Sequence, residues 1–210
     1  MARSADLATV GAVTTMRTAT LHDFPGVYRV CRLTGHAGRD ATSRHADPDL
    51  LGHLWAGPYL AFPEAVTRVI HDDQGVAGYC LAVPDTAAFE HWLDTVWLPP
   101  LRERLPLGSG ATEADRALVA RIHQTPRSDA ALLAEHPAHL HVDLLPRLQG
   151  QGWGRRIMDE VVGELSREGV PGIHLGVDPG NTAAPGFYQR LGFRPVTGPP
   201  GARWYGILLA

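Results

Sequence analysis

The stretch that decides the fold runs from residue 140 to residue 162 and reads LHVDLLPRLQGQGWGRRIMDEVV. An apolar run, interrupted by Asp143, leads through a proline to glycines at positions 150, 152 and 154. The apolar residues that follow the loop recur at helical spacing. The stretch therefore predicts a strand, a glycine loop and the start of a helix, in that order.

A glycine loop of this kind suits an anion. Glycine has no Cβ, so the backbone can approach a ligand closely. The helix N-terminus that follows presents unpaired N–H groups and a partial positive charge, which favours a phosphate. The loop lacks the Gly-Lys-Ser/Thr of a Walker loop, because Arg155 and Arg156 follow Gly154. It also misses the GxGxxG spacing of dinucleotide-binding folds by one residue. A tight turn without a ligand is the alternative.

Composition limits the class of protein. The 210 residues suit one globular domain, and 19 basic against 22 acidic residues give a net charge of −3. Basic residues are not clustered, so we expect no nucleic-acid partner. Cys31 and Cys80 lack the spacing of a disulfide framework or a metal site, so we expect a reducing compartment and no metal.

The chain shows no sign of export or of a membrane anchor. Residues 1–15 lack the apolar core of a signal peptide, and no later run reaches membrane-spanning length. We therefore expect a flexible tail over 1–15, a cytoplasmic protein and no membrane partner. A homodimer is left open.

The rest of the chain alternates strands and helices. We predict a strand at Met16–Ala19, a helix around Val27–Leu33, a short helix at 49–55, and a hairpin of Val66–His71 with Val76–Val83. Residues 84–139 read as helices. Pro99 and Pro100 should end the first of these, whose apolar stripe holds Phe89, Trp92, Leu93, Val96 and Trp97.

The C-terminal third continues this alternation. Thr112 and Asp115 form a capping box for a further helix of the insert. Gly169 should end the helix after the glycine loop, and a strand should follow at Ile173–Val177. A short helix around Tyr188 and a terminal strand complete a mixed sheet packed with helices.

Two motifs link the chain to a known family. Gln149-x-x-Gly152-x-Gly154 matches the signature Q/R-x-x-G-x-G/A, and NTAAPGFYQRLGF at 181–193 resembles the element N-x-x-A-x-x-h-Y-x-x-x-G-F, where h is apolar. The chain therefore resembles the GNAT acyltransferases, which use acetyl coenzyme A (acetyl-CoA). GPYLAFPE at 57–64, GVAGYCLAVPDTAAFEHWLD at 75–94 and the helical insert further resemble the acetyltransferase-like C-terminal region of O-GlcNAcase and its free-standing bacterial relatives.

The resemblance implies a fold and a domain layout. The fold is α/β (α+β), with a mixed, mostly antiparallel central sheet that is flanked by helices and splayed at its central strand. A single domain is expected over 16–210, with a helical insert at about 84–139. The O-GlcNAcase region looks degenerate in its coenzyme loop, whereas this chain keeps the glycines, so coenzyme binding should be intact here.

The resemblance also implies where acetyl-CoA binds. The backbone of Leu144 and Leu145 would contact the pantetheine arm, and N–H groups of the loop would surround the pyrophosphate. Asn181 matches a position that reaches the pantetheine, although a helix cap explains it equally well. The expected coenzyme-binding set is Leu144, Leu145, Gln149, Gly150, Gln151, Gly152, Trp153, Gly154, Arg155, Asn181 and Tyr188.

Two side chains are candidates for catalysis. Tyr188 matches the family tyrosine that gives a proton or a hydrogen bond to the departing sulfur, and a phenol is protonated at neutral pH. Asp143 is the candidate general base, since a buried carboxylate in an apolar strand is costly without a use. A structural carboxylate is the alternative, and His141 is the reserve base. His136, His139 and the other histidines are expected at the surface or in loops.

Two functions follow from these assignments. The first is an N-acetyltransferase that passes acetyl directly from the thioester to a primary amine on a small molecule or peptide. The second is a coenzyme-binding sensor or scaffold with little or no transfer. The acceptor side is expected to hold Asp40, Trp92 and Trp97.

Overall fold

The computed structural model describes residues 13–210. The predicted tail over 1–15 lies mostly outside the described residues, and Thr15 already belongs to the first strand. Within the described range seven strands form one sheet: β1 Thr15–Thr18, β2 Val66–Asp72, β3 Gly75–Val83, β4 Ala138–Leu144, β5 Gly172–Val177, β6 Arg194–Val196 and β7 Arg203–Leu208.

The helices connect these strands. They are α1 Phe24–Thr34, α2 Leu50–Trp55, α3 Gly57–Ala61, α4 Thr86–Trp92, α5 Leu98–Arg104, α6 Glu113–His123, α7 Ala130–Glu135, α8 Trp153–Arg167 and α9 Ala184–Arg190. Short 3₁₀ turns lie at Leu21–Asp23, Thr42–Arg44 and Pro146–Leu148, and a π-helical turn lies at Leu93–Trp97. Helices α4 to α7 lie between β3 and β4, within the range of the predicted insert.

The sheet is continuous up to β4 and then opens. Its order is β1-β2-β3-β4-β5-β7-β6, and every neighbouring pair is antiparallel except β4 with β5. β4 pairs with β3 from His139 to Leu144, whereas its parallel register with β5 covers Ala138 and His139 alone. The strands therefore separate beyond His139, which confirms the predicted mixed sheet and its splay.

Hydrophobic clusters cover both faces of the sheet. On one face, Tyr79 and Leu81 of β3 pack with the helices of the N-terminal half and of the insert. On the other, Cys80 and Ala82 pack with α8 and with Tyr188 of α9. This period-two division buries β3 on both sides, as expected of a central strand.

Local signals end α8 as predicted. The N–H of Gly169 donates to the Ser166 carbonyl at 2.9 Å, and that of Val170 donates to the Leu165 carbonyl at 3.1 Å. These two bonds form a Schellman motif. Gly169 has φ of +79°, a conformation that glycine adopts without strain.

Two predictions for the insert are wrong. Pro99 and Pro100 do not end a helix but lie in the first turn of α5, where a missing N–H breaks no intrahelical bond. The turn before α5 is π-helical, because the N–H of Leu98 donates to the Leu93 carbonyl five residues back. The extra residue in this turn shifts the apolar stripe, so Val96 is 55% exposed.

Candidate active site

A cavity of about 710 Å³ lies where β4 and β5 separate. Side chains and backbone from β4, the glycine loop, α9 and the turn after α1 form its walls. Most of the predicted site residues line it: Asp143, Leu144, Gln149, Gly150, Gly152, Gly154, Arg155, Asn181 and Tyr188. Leu145, Gln151 and Trp153 do not. The structure thus brings residues from distant parts of the sequence to one opening in the sheet.

The glycine loop delivers the N-terminus of α8 to this cavity. Gly150 and Gly152 have φ of +73° and +82°, which favours glycine at both positions. Gly152 is the N-cap, so no side chain caps the helix, and the first helical bond runs from the Arg156 N–H to the Gly152 carbonyl. The N–H groups before Arg156 therefore lack intrahelical partners. The helix end can accept an anion.

The third glycine has a different role. A Cβ on Gly154 would lie 3.1 Å from the Phe187 ring and 3.3 Å from Leu144, so this position lets α8 pack closely on α9 and β4. No atom lies within 4 Å of a Cβ placed on Gly150 or Gly152. Those two glycines are required by the backbone conformation, and Gly154 by packing.

The amides beside the glycines hold the loop. The Gln149 side chain donates to the Leu144 carbonyl at 2.9 Å, and the Gln151 side chain donates to the Arg147 carbonyl at 2.6 Å. Arg155 lines the cavity and donates to the Arg190 carbonyl at 3.1 Å. Gln151 thus shapes the turn from outside the cavity.

The opening exposes one edge of β4. The N–H of Leu145 donates to the Ala77 carbonyl at 2.9 Å, toward β3. Backbone groups alternate between the two sides of an antiparallel strand, so those of Leu144 and Val142 point toward the gap. Leu144 is therefore placed to contact an extended ligand. The Leu145 N–H is committed to the sheet, and its predicted ligand contact stays a prediction.

Asn181 closes the cavity on the α9 side. The N-cap of α9 is Ala183 rather than Asn181, but the Asn181 Oδ1 accepts from the Ala184 N–H at 3.2 Å and so satisfies the first N–H of the helix. A Cβ on Gly38 would lie 3.2 Å from the Asn181 Nδ2, because the turn after α1 packs against this amide. Asn181 thus bonds the first turn of α9 and lines the cavity, and its contact with pantetheine stays a prediction.

Tyr188 reaches the cavity from α9. It packs against Phe187, Phe193 and Tyr205, with ring centroids 5.2, 5.9 and 6.2 Å away, and is 8% exposed. Burial, followed by the negative charge of Asp143, raises the pKa of Tyr188 above its usual range. The phenol is therefore protonated at neutral pH and can donate a proton or a hydrogen bond.

Asp143 reaches the same cavity from β4. It lies opposite Tyr79 on β3, and the Tyr79 hydroxyl donates to Asp143 Oδ2 at 2.5 Å. Burial raises the pKa of Asp143 to about 6, while the bond from Tyr79 and the nearby Thr34 hydroxyl oppose the rise. A carboxylate with this pKa is ionised at neutral pH and can accept a proton.

His141 lies on the same face of β4 as Asp143. The register with β3 is unbroken between them, so their side chains project together. Burial, followed by the positive charge of Arg121, lowers the pKa of His141 to about 4. The imidazole is therefore neutral at working pH. His141 remains the reserve base, and it does not line the cavity.

The other two histidines named from the sequence are not at the surface. His136 is buried, and His139 lies within β4. Thr86 Oγ1 donates to the Pro137 carbonyl and therefore accepts from His139 Nδ1, which leaves His139 Nε2 to accept from the Tyr59 hydroxyl at 2.6 Å. Both ring nitrogens of His139 are satisfied, so it is a structural residue.

The residues expected on the acceptor side lie elsewhere. Trp92 and Trp97 stack on each other at 6.1 Å within the aromatic packing of the insert, and the Trp97 indole donates to the His53 carbonyl. Asp40 is exposed, and its carboxylate accepts from the Thr42 N–H. None of the three lines the cavity. Val142 and Phe187 line the cavity, and the sequence did not predict them there. Both flank predicted residues and lie on apolar faces that read as core.

Comparison with known proteins gives the family. The model of the acetyltransferase (GNAT) family matches residues 40–193. The chain belongs to this family. Membership makes it a GNAT-type N-acetyltransferase with acetyl-CoA as its cosubstrate, which confirms both predictions.

Individual relatives agree with this assignment. The acetyltransferase resembles the crystal structure of SsHAT at 33% identity and a TM-score of 0.80, over 94% of this chain and 98% of that one. A phosphinothricin acetyltransferase from Sinorhizobium meliloti, solved with acetyl-CoA, shares the fold at 15% identity and a TM-score of 0.52, over 94% of this chain and 89% of that one.

The resemblance to O-GlcNAcase is also confirmed. The rat protein is 24% identical over 183 residues, which are 86% of this chain and 20% of O-GlcNAcase. The acetyltransferase thus spans about a fifth of that relative's length. Within residues 13–210, no helix combines the length and apolarity needed to cross a bilayer.

Proposed function

We propose that this acetyltransferase transfers acetyl from acetyl-CoA directly to a primary amine while both are bound. One observation carries the proposal. The opening between β4 and β5 is lined by an uncapped helix N-terminus, by the Asp143 carboxylate, which is ionised at neutral pH, and by the Tyr188 phenol, which is protonated at neutral pH. An anion site and an acid–base pair in one cavity suit a phosphate-bearing thioester.

The donor would bind along the open edge of β4. The N–H groups of the loop and of the first turn of α8, from Gly150 to Arg155, would hold the pyrophosphate. The backbone of Leu144, with Leu145 behind it, would hold the pantetheine arm. Asn181 would reach the arm from the opposite wall. This arrangement would place the thioester near Asp143 and Tyr188, because both line the same cavity.

The chemistry then needs two proton transfers. The amine nitrogen attacks the thioester carbonyl carbon and forms the N–C bond. The nitrogen becomes more acidic as this bond forms, and Asp143 accepts its proton. The C–S bond breaks as the tetrahedral intermediate collapses, and Tyr188 donates its proton to the departing thiolate or a hydrogen bond to the sulfur. Tyr79 keeps Asp143 oriented toward the cavity through its 2.5 Å bond.

Calorimetric titration with acetyl-CoA and with desulfo-coenzyme A, followed by assay against a mixed amine library, tests the proposal. We expect binding of both ligands and acetylation of at least one amine. Binding without transfer to any amine would favour the sensor function instead. No binding would show that the glycine loop is a turn alone.

Substitution of Tyr188 by Phe tests the assigned proton donor. We expect turnover to fall by about an order of magnitude or more, with little change in acetyl-CoA affinity, since only the hydroxyl is lost. Tyr205→Phe is the matched control, because Tyr205 packs beside Tyr188 and does not line the cavity. Equal loss of affinity and turnover in Tyr188→Phe would contradict the role.

A further inference from the structure

A second polar cluster lies beside His141, on the face of β4 that also carries Asp143. The Arg121 guanidinium, on α6, stacks over the Trp55 ring with its Cζ 4.6 Å from the ring centroid. The Trp55 ring in turn lies 5.6 Å from the His141 ring. Three side chains from α2, α6 and β4 thus meet at His141, two residues from the proposed base.

Within residues 13–210, Arg121 has no anionic partner. No carboxylate lies within salt-bridge distance of it, and its side chain makes no hydrogen bond to the described residues, although six other arginine–carboxylate pairs form there. The neighbouring Tyr59 hydroxyl is already bonded to His139. A half-buried cation without a counter-ion is costly, so a fold that keeps one has a use for it.

The guanidinium is accessible as well as unpaired. Among the described residues, the buried side-chain nitrogens and oxygens without a partner are Arg32 Nε and Ser109 Oγ. The Arg121 nitrogens also lack a partner and are not among them, so the guanidinium is not fully buried. Because His141 is neutral, the cluster offers a ligand a single positive charge, held flat on an aromatic platform.

The strand sets the distance from His141 to the proposed base. His141 and Asp143 are two residues apart on one face of β4, which separates their side-chain origins by about 7 Å. Asp143 faces the cavity that would hold the thioester. A molecule whose amine lies at Asp143 and that extends past His141 can therefore direct a second group toward Trp55 and the Arg121 guanidinium that stacks on it.

We propose that Arg121, supported by Trp55 and flanked by His141, binds a carboxylate of the amine acceptor. The acceptor class is then an amino acid whose reacting amine is separated from its carboxylate by several bonds, such as an ω-amino acid or the side-chain amine of free lysine. This inference rests on the proposed function and names its substrate class. A carboxylate matches one guanidinium in charge and in planar, bidentate geometry, whereas a phosphate monoester carries nearly two charges.

A series of ω-amino acids of increasing length measures the spacing between the amine site and the carboxylate site. Glycine, β-alanine, γ-aminobutyrate, δ-aminovalerate and ε-aminocaproate are each assayed beside the matching carboxamide, and kcat/KM is measured for acetyl transfer. We expect the longer acids to exceed their carboxamides by about tenfold or more, since the carboxamide loses a charge-assisted bond to Arg121. The shortest acids should show no such preference.

Variants assign the preference to the cluster. Arg121→Gln should bring acid and carboxamide to within about twofold of each other and leave acetyl-CoA affinity unchanged. Trp55→Leu should weaken the preference through loss of the platform. Arg116→Gln is the matched control, because Arg116 is exposed on the same helix and bonds the Gly110 carbonyl. A thermal melt with and without acetyl-CoA checks that each variant is folded.

The outcomes separate this inference from the proposed function. If wild type acetylates amines with no preference for the acids, or if Arg121→Gln lowers transfer to acids and carboxamides equally, the carboxylate site is refuted and the transferase stands. If wild type binds acetyl-CoA and acetylates no amine, the proposed function fails. Stabilisation of the wild type by ε-aminocaproate, absent in Arg121→Gln, would then still support the carboxylate site, and equal shifts in both would overturn it.

Discussion

Replacement of Asp143 by Asn removes a charge from the cavity while keeping the shape of the side chain. The pKa of this carboxyl rises on folding from its usual 3.8 to about 6, chiefly through burial. The folded state therefore holds the proton more tightly than the unfolded state does. The stability that this provides is complete below pH 3.8 and is lost as the pH rises through about 6. At 1.36 kcal/mol per pKa unit, the loss amounts to ~3 kcal/mol.

Asp143→Asn should not lose stability in this way, because the asparagine side chain does not ionise. We expect the free energy of unfolding of the variant to exceed that of wild type by a margin that grows between pH 3 and pH 7.5 by ~3 kcal/mol. Urea unfolding followed by tryptophan fluorescence at several pH values measures the margin. Asp73→Asn, in the exposed hairpin turn, controls for loss of one negative charge. A margin that stays constant with pH, or shrinks, would refute the reasoning, and turnover should fall in the variant whatever its stability.

Two further predictions concern the partner of this carboxylate and the glycine loop. Tyr79→Phe removes the hydrogen bond that lowers the pKa of Asp143, so the acidic limb of the pH profile of kcat/KM should move to higher pH. An unchanged limb would show that the ionisation of Asp143 does not control catalysis. Gly152→Ala should lower the free energy of unfolding by about 1–2 kcal/mol, since φ is +82° and no neighbouring atom is crowded. Gly163→Ala, inside the same helix, should instead stabilise by roughly 1 kcal/mol, and equal effects would argue against backbone strain at Gly152.

Local features of this chain could be predicted because their causes are consecutive in sequence. The glycines at 150 and 152 need positive φ, and the helix begins directly after them, so the motif and the anion site appear in the same few letters. The alternation of β4 likewise puts Asp143 and His141 on one face without any tertiary information. The position of Asp143 at the cavity follows from that alternation and from the splay.

Features that depend on distant pairings could not be predicted. Tyr79 lies 64 residues before Asp143, and the strand register alone brings them opposite each other. The π-helical turn before Pro99 could not be predicted either, because a hydrophobic pattern searched at 3.6 residues per turn does not reveal an inserted residue. Arg121 does have a sequence signal. It lies three residues after Leu118 and therefore on the inward-facing stripe of α6, where an arginine is unexpected.

The seam between β4 and β5 also has a thermodynamic consequence. β4 and β5 pair at Ala138 and His139 and separate beyond them, so the two halves of the sheet are joined over a short length. A molecule that occupies the gap in the folded protein, and not in the unfolded chain, adds RT ln(1 + [L]/Kd) to its stability. The melting temperature would then rise with the supply of acetyl-CoA. The folded fraction of this enzyme at a given temperature would therefore depend on the availability of its acyl donor, even when no acceptor is present.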